Sequence, residues 1–363
     1  MSDFLTTIMD MSALPVLAFC FVLAIMPVAI AYAQYVNFTD KPGGRKKHDS
    51  AVALVGGLVL FPVFAFFNLF AGFDIGAFWP LYAGMAILLA VGAYDDRKVL
   101  EPRIKFTAQW IVAIIIVTFG EAHVDGLGYV FGDEVLWLGP FAWIFSVVAA
   151  VLLINAINLM DGLDGLSGGV GVIVFTALLI GSFLNGHSDM ITSLLILIAA
   201  LCGFLWFNMR LWRRARAEVF IGDAGSLTLG LLIAWFAMHL GDHNGGSVAP
   251  MTVAWILALP IYDTCAQFAR RMREGRHPFS PDAHHFHHHF IHAGLSPKLS
   301  TLCVLGIMGL LAALGITAEY FGFNGLWMTC LWIGLLLTHI LVSLKPARYE
   351  NFIRRIYMNL STQ

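Results

Sequence analysis

Charge is what this sequence has least of. Only 12% of its 363 residues are Asp, Glu, Lys or Arg, about half the share of a soluble domain, while 59% are hydrophobic. That composition excludes an ordinary soluble globular protein. No sign of charge dominates either: 21 Lys and Arg stand against 23 Asp and Glu. With no global basic field to hold a phosphodiester backbone, no nucleic acid partner is expected. Cysteine is scarce. Cys20, Cys202, Cys265, Cys303 and Cys330 lie far apart, in or beside apolar stretches and without a CxxC pair. This excludes a disulfide framework or thiolate metal cage and leaves them as packing residues. The first twelve residues carry Asp3 and Asp10 but no base, unlike a signal peptide, so the first apolar segment is expected to be retained. Internal repeats and Ser/Gly/Pro-rich linkers are also missing, which points to one membrane domain over 1–344 followed by a basic tail over 345–363.

What the chain has in abundance is long runs free of charge. There are eleven: 11–39, 50–73, 75–94, 106–120, 135–160, 165–188, 190–209, 224–241, 243–262, 299–318 and 320–344. Most reach the roughly 20 residues that a helix needs to cross a bilayer. An all-α polytopic membrane protein with about eleven transmembrane helices is therefore expected. If all eleven span, all 21 Lys and Arg fall on one side, while Asp3, Asp10, Asp74, Glu121, Asp125, Asp133, Glu134, Asp189, Asp242 and Glu319 fall on the other without one base. By the positive-inside rule the basic side is cytoplasmic, the N-terminus is outside and the C-terminus is cytoplasmic. The tail, with Tyr349, Phe352, Ile353, Ile356 and Tyr357 among its cations, reads as a helix lying on anionic headgroups of the membrane lipids.

The loops on the basic side, 40–49, 95–105, 155–169, 210–226 and 270–298, hold the groups that bind phosphate and metal. DKPGGRKKH (Asp40 to His48) surrounds a turn with cations, Lys46 among them; a topogenic signal is its plain alternative. DDRKVLEPRIK (Asp95 to Lys105) opens with adjacent carboxylates, which repel unless a cation offsets them; the alternative is a solvated helix end balanced by Arg97 and Lys98. In NAINLMDGLDGLSGG (Asn155 to Gly169), Asn155 and Asn158 are three apart, as are Asp161 and Asp164, so one helical turn puts each pair on a face. Such groups at membrane depth are functional by default. VFIGDAGS (Val219 to Ser226) sets Asp223 between glycines at the start of a run, where an acid can also be a simple cap. The last loop, with Arg270, Arg271, Arg273 and Arg276 before His284, His285, His287, His288 and His289, suits an anion better than a metal cation, because the arginines repel a free metal.

Taken in order, these five loops resemble the polyprenyl-phosphate N-acetylhexosamine-1-phosphate transferase family, over most of the chain from Asp40 to Gly294. LGYVFG (Leu127 to Gly132), INAINLMDGLDGL, VFIGDAGS and PFSPDAHHFHHHF are most similar to its branch that transfers GlcNAc-1-phosphate to undecaprenyl phosphate. The resemblance implies Mg²⁺ as cofactor, with Mn²⁺ as an alternative, and UDP-GlcNAc and undecaprenyl phosphate as partners. Residue by residue, it implies catalytic roles for Asp95, Asp96, Asp161 and Asp164, metal ligation by Asp223 with Asn158, and substrate binding by Lys46, Lys105, Arg270, Arg271, His285, His287 and His288. His284 and His289 are extras outside that pattern. One departure is Ala53, where the family usually has proline.

The implied reaction releases UMP, at a site facing the cytoplasm of a bacterial inner membrane. One-step displacement and a covalent aspartyl intermediate both fit these residues. Another UDP-N-acetyl sugar would fit them too, and a homodimer is compatible. The rival from a different class is a polytopic transporter with a histidine-rich cytoplasmic loop, although transporters often carry inverted repeats and a midplane site.

Overall fold

In the computed structural model the described residues are 13–40, 51–120, 122–132, 134–187, 190–210, 216–242, 244, 246–277 and 284–361. Among the described residues, nine of the charge-free runs form helices long and apolar enough to span. These are α1 (Ala13–Tyr35), α3 (Ile75–Lys98), α4 (Pro102–Phe119), α5 (Ala142–Met160, entered by a 3₁₀ turn over Gly139–Phe141), α6 (Leu166–Leu184), α7 (Ile191–Asn208), α8 (Gly222–Gly241), α12 (Pro297–Tyr320) and α13 (Gly325–Ser343). Run 50–73 yields the shorter α2 (Gly56–Phe70), and run 243–262 an interrupted pair, α9 (Pro250–Ile256) and α10 (Ala258–Arg273). The break at Leu257 has a local cause. Pro260 has no N–H to give the Ile256 carbonyl, and its ring crowds that position. The remaining helices are α11 (Phe286–His292), in the histidine loop, and α14 (Pro346–Ser361), in the tail.

The core is organised around α8, buried along nearly its whole length and packed against α2, α3, α5 and α6. Small residues let these helices approach. A Cβ on Gly92 of α3 would stand 2.3 Å from the Ala224 backbone of α8, and one on Gly57 of α2 would stand 2.1 Å from Gly225. Glycine at such crossings allows backbone-to-backbone packing where lipid offers no hydrophobic drive between helices. The outer surface is apolar, with Val16, Leu17, Val28, Trp327 and Leu337 exposed, as lipid contact requires.

A two-stranded ribbon, β1 (Thr39–Asp40) antiparallel to β2 (Val52–Ala53), flanks residues 41–50. It is stitched to the segment before Asp223: Phe220 N–H donates to the Ala53 carbonyl at 2.8 Å, and Gly56 N–H to the Phe220 carbonyl at 3.0 Å. Alanine at 53 thus sits in a regular, buried strand.

The two ends of the bundle differ in chemistry, as the charge sorting implies. At one end acids from separate loops meet: Asp242 Oδ1 accepts from Asp125 N–H at 2.8 Å, and Glu319 accepts from Asn185 and from Ala249 N–H. The motif residues gather at the other.

Candidate active site

The first contact is set by sequence spacing. Asp95 lies in the last turn of α3 and Lys105 in the first turn of α4, across a short turn in which Leu100 N–H donates to Asp95. Lys105 Nζ then pairs with Asp95 Oδ2 at 2.7 Å and with Asp223 Oδ2 at 3.1 Å. Asp223 Oδ1 accepts from Asn158 Nδ2 at 3.0 Å, and the same amide donates to Ser226 Oγ at 2.9 Å. One ammonium therefore bridges two carboxylates from distant motifs, and an amide from a third motif fixes the second of them.

Asp96 is placed differently from its neighbour. Its two oxygens accept from the N–H groups of Asp223 at 2.8 Å and Ala224 at 3.2 Å, so it caps α8 from another helix. Gly222 permits this: its φ is +72°, and a Cβ there would lie 2.6 Å from the Asp96 carboxylate. Asp96 thereby sets where Asp223 points.

The Asn155 to Gly169 motif supplies the next layer. Asp161 accepts from Ser167 Oγ at 2.7 Å. Burial pushes its carboxyl up to about 7, and the charges of Asp223 and Asp164 add to that against the Ser167 bond. Asp164 is instead paired with Arg210 Nε at 2.6 Å. Asn155 donates to Gln109 and to the Val151 carbonyl, which makes it a brace between α4 and α5. Asn208 ties the end of α7 to this loop, accepting from Gly165 N–H and donating to the Val219 carbonyl, each at 2.8 Å.

The histidine loop closes over the motif at Gly162, where a Cβ would meet His287 Nε2 at 2.2 Å. Both ring nitrogens of His287 are buried without a hydrogen-bond partner among the described residues, and so is Nδ1 of His288. His285 is held from below: its Nδ1 lies 3.0 Å from Asp263 Oδ2, while Asp263 Oδ1 accepts from Phe286 N–H at 2.9 Å and Gln267 Nε2 at 3.2 Å. Arg270 Nη2 donates to Gln267 Oε1 at 2.5 Å, and both Arg270 and Arg271 are buried in α10. Gln267, which Arg270 meets in this way, also donates to the His284 carbonyl at 2.6 Å and so ties Arg270 to the histidine loop. Lys46 lies outside the described residues.

Asp263, Gln267 and Asn208 are not legible as functional residues in the motifs. For Asp263 and Gln267 a signal existed: with Arg270 they recur at i, i+4 and i+7, one polar helix face entering an otherwise charge-free run.

Burial, then neighbouring imidazoles, hold His287 well below the usual histidine range and push His288 down to about 4. Both are neutral at pH 7. Unfolded histidines titrate near about 6.5, so as pH falls from about 6.5 towards 4 the unfolded chain binds protons that the folded chain refuses, and stability falls. The Tm in detergent should therefore drop on acidification through that window, and less steeply in His288→Gln. An equal slope in the variant would refute the assignment.

Two carboxylates, Asp95 and Asp223, thus share one ammonium, and the charge of Asp223 is felt by Asp96 and Asp161 as well. This excess of hard oxygen donors is chemically suited to Mg²⁺. Asn158 turns its nitrogen towards Asp223, so its oxygen would join such an ion only with the amide reversed.

Residues 78–241 match the profile of glycosyl transferase family 4. The chain is 31% identical over 329 residues to the undecaprenyl-phosphate alpha-N-acetylglucosaminyl 1-phosphate transferase of Salmonella typhi, covering 90% of this chain and 89% of that protein. The protein of the same name from Yersinia pestis is 32% identical over 349 residues, covering 96% and 95%. That from Haemophilus influenzae is 33% identical over 292 residues, covering 80% and 82%.

Proposed function

We propose that this chain, which belongs to glycosyl transferase family 4, transfers GlcNAc-1-phosphate from UDP-GlcNAc to undecaprenyl phosphate, giving the lipid diphosphate-sugar and UMP. The observation that carries the reading is the Asp95–Lys105–Asp223–Asn158 network, which brings three separate motifs to one end of an all-helical membrane bundle. A lipid headgroup and a soluble nucleotide sugar can meet there, whereas a transporter site belongs near the midplane.

In the proposed reaction an oxygen of the lipid phosphate forms a bond to the sugar-linked phosphorus. The bond between that phosphorus and the oxygen bridging to UMP breaks, and UMP leaves with the electron pair. Both substrates are anions, so charge compensation and positioning supply most of the rate. Asp223, with Asn158 beside it, would hold Mg²⁺, which when bound offsets charge on the donor diphosphate. Lys105 reaches either substrate's phosphate from its place between Asp95 and Asp223. Asp95, on the other side of Lys105 from Asp223, orients or deprotonates the acceptor phosphate. His287, poised over Gly162 with its ring nitrogens unspent, offers an N–H to the donor, and Asp263 keeps His285 in register beside it.

In this reading the site faces the cytoplasm from a bacterial inner membrane, which the sorting of all Lys and Arg to one side of the charge-free runs supports. Two measurements test the reading. Membranes carrying the protein, given Mg²⁺, undecaprenyl phosphate and a panel of UDP-sugars, should release UMP with UDP-GlcNAc and lose that release on chelation. In intact cells, single cysteines at Ser50 or Ser280 should resist an impermeant thiol reagent, and one at Ser188 should react. Labelling at Ser280 would sink the topology.

A further inference from the structure

Three histidines of the cytoplasmic loop, His284, His289 and His292, stand outside the His285, His287, His288 pattern. The structure gives them a different partner. His289 and His292, three apart on α11, both turn to Glu350 of α14, whose Oε1 lies 3.2 Å from His289 Nδ1 and 3.0 Å from His292 Nδ1. His284 joins the same group: ligand atoms of His284, His292 and Glu350 all lie within 4.8 Å of one another. One helical turn further along α14, Arg354 donates to the carbonyls of His292 at 2.9 Å and Ala293 at 3.3 Å. The tail is thereby held to the loop beside the cluster.

We propose that His284, His292 and Glu350 form a binding site for a divalent cation of the zinc class, which joins the C-terminal helix to the histidine loop. Two imidazoles and one carboxylate are the donors of a Zn²⁺ site, whereas Mg²⁺ demands oxygen throughout. Three protein ligands leave a fourth position for water or for His289. Metal–ligand bonds of about 2.0–2.2 Å put tetrahedral ligand atoms about 3.4 Å apart, so no pair within the 4.8 Å group has to close by more than about 1.4 Å, and the His292–Glu350 pair at 3.0 Å opens slightly. Rotation about their own bonds supplies that movement, because Arg354 and the shared Glu350 contacts already fix the backbones. Binding displaces protons from the imidazoles and replaces two hydrogen bonds to one oxygen with coordinate bonds.

This cluster is separate from the acid cluster around Asp223. His287 and His288 stand between them, with ring centroids 4.1 Å apart, and His288 lies 6.1 Å from His292. The histidine loop therefore has two faces: one over Gly162, for which the arginines favour an anion, and one against α14, where Glu350 supplies the carboxylate that a cation needs.

The test uses the full chain purified without a polyhistidine tag, stripped with chelator, then dialysed against Zn²⁺ in the presence of Mg²⁺. Bound zinc is measured by mass spectrometry and Tm by differential scanning. The parent should hold about one zinc per chain and gain Tm with it. Glu350→Gln and His292→Ala, checked for an unchanged gel-filtration profile, should lose both the zinc and the gain, and His287→Ala should keep them. A parent that binds no stoichiometric zinc overturns the proposal without any variant. Zinc retained by Glu350→Gln and His292→Ala, or lost in His287→Ala, also overturns it, the last by moving the metal to the active-site face.

Discussion

Asp223→Asn is expected to lower the maximal rate of UMP release about 10²- to 10³-fold and to raise the Mg²⁺ concentration needed for activity, the scale seen when one charge-stabilising group is removed from a transition state. Asp223 faces both Lys105 and Asn158, so the amide keeps the shape and removes the charge. Asp95→Asn should also collapse turnover yet leave Mg²⁺-dependent donor binding largely intact, because its proposed partner is the acceptor phosphate. Since the two acids share Lys105, the double variant should cost less than the sum of the singles. Calorimetry of UDP-GlcNAc binding at varied Mg²⁺, beside turnover, checks this. Unchanged metal dependence in Asp223→Asn together with lost dependence in Asp95→Asn would mean that the metal and acceptor roles are reversed.

Asp263→Ala should have the largest effect on stability. The carboxylate is buried and accepts from Phe286 N–H and Gln267 while pairing with His285. Its removal strands several buried donors at once, a cost of about 3–5 kcal/mol. Asp263→Asn keeps an acceptor for Phe286 N–H and should lose less. Because the loop carries the histidines proposed to meet the donor, Asp263→Asn should also raise KM for the nucleotide sugar more than it lowers kcat. A Tm within error of the parent for Asp263→Ala would contradict the role given to this residue.

Hydropathy made most of the bundle legible to within a few residues, since runs free of charge are set by the bilayer and not by tertiary detail. It was blind to Leu257. An apolar run reads as continuous whether or not its hydrogen-bond ladder is broken, and the break comes from one missing N–H at Pro260. The motifs named Asp95, Lys105, Asn158 and Asp223, which the fold joins directly. They set Asp95 and Asp96 on different helix directions without saying which does what, because which acid caps α8 depends on how closely Gly92 lets α3 approach Ala224. Asp263 stayed hidden for a related reason. A lone acid at the edge of an apolar run looks like a boundary until the helix opposite brings His285 down to it. The tail read as a helix on headgroups; α14 does leave Phe352, Ile356 and Met358 exposed, but Ile353 is buried and Glu350 and Arg354 grip the loop.

Lys105 between Asp95 and Asp223 has a consequence for how such a chain comes to exist. Carboxylates crowded at a membrane boundary would repel one another during insertion, before any metal or substrate arrives. The ammonium at 2.7 and 3.1 Å acts as a built-in counter-ion, so the helices can assemble in the bilayer with their charges already matched. On the proposed reading the helices are expected to assemble without divalent ions, so a protein stripped by chelator should remain folded and regain UMP release when Mg²⁺ is restored.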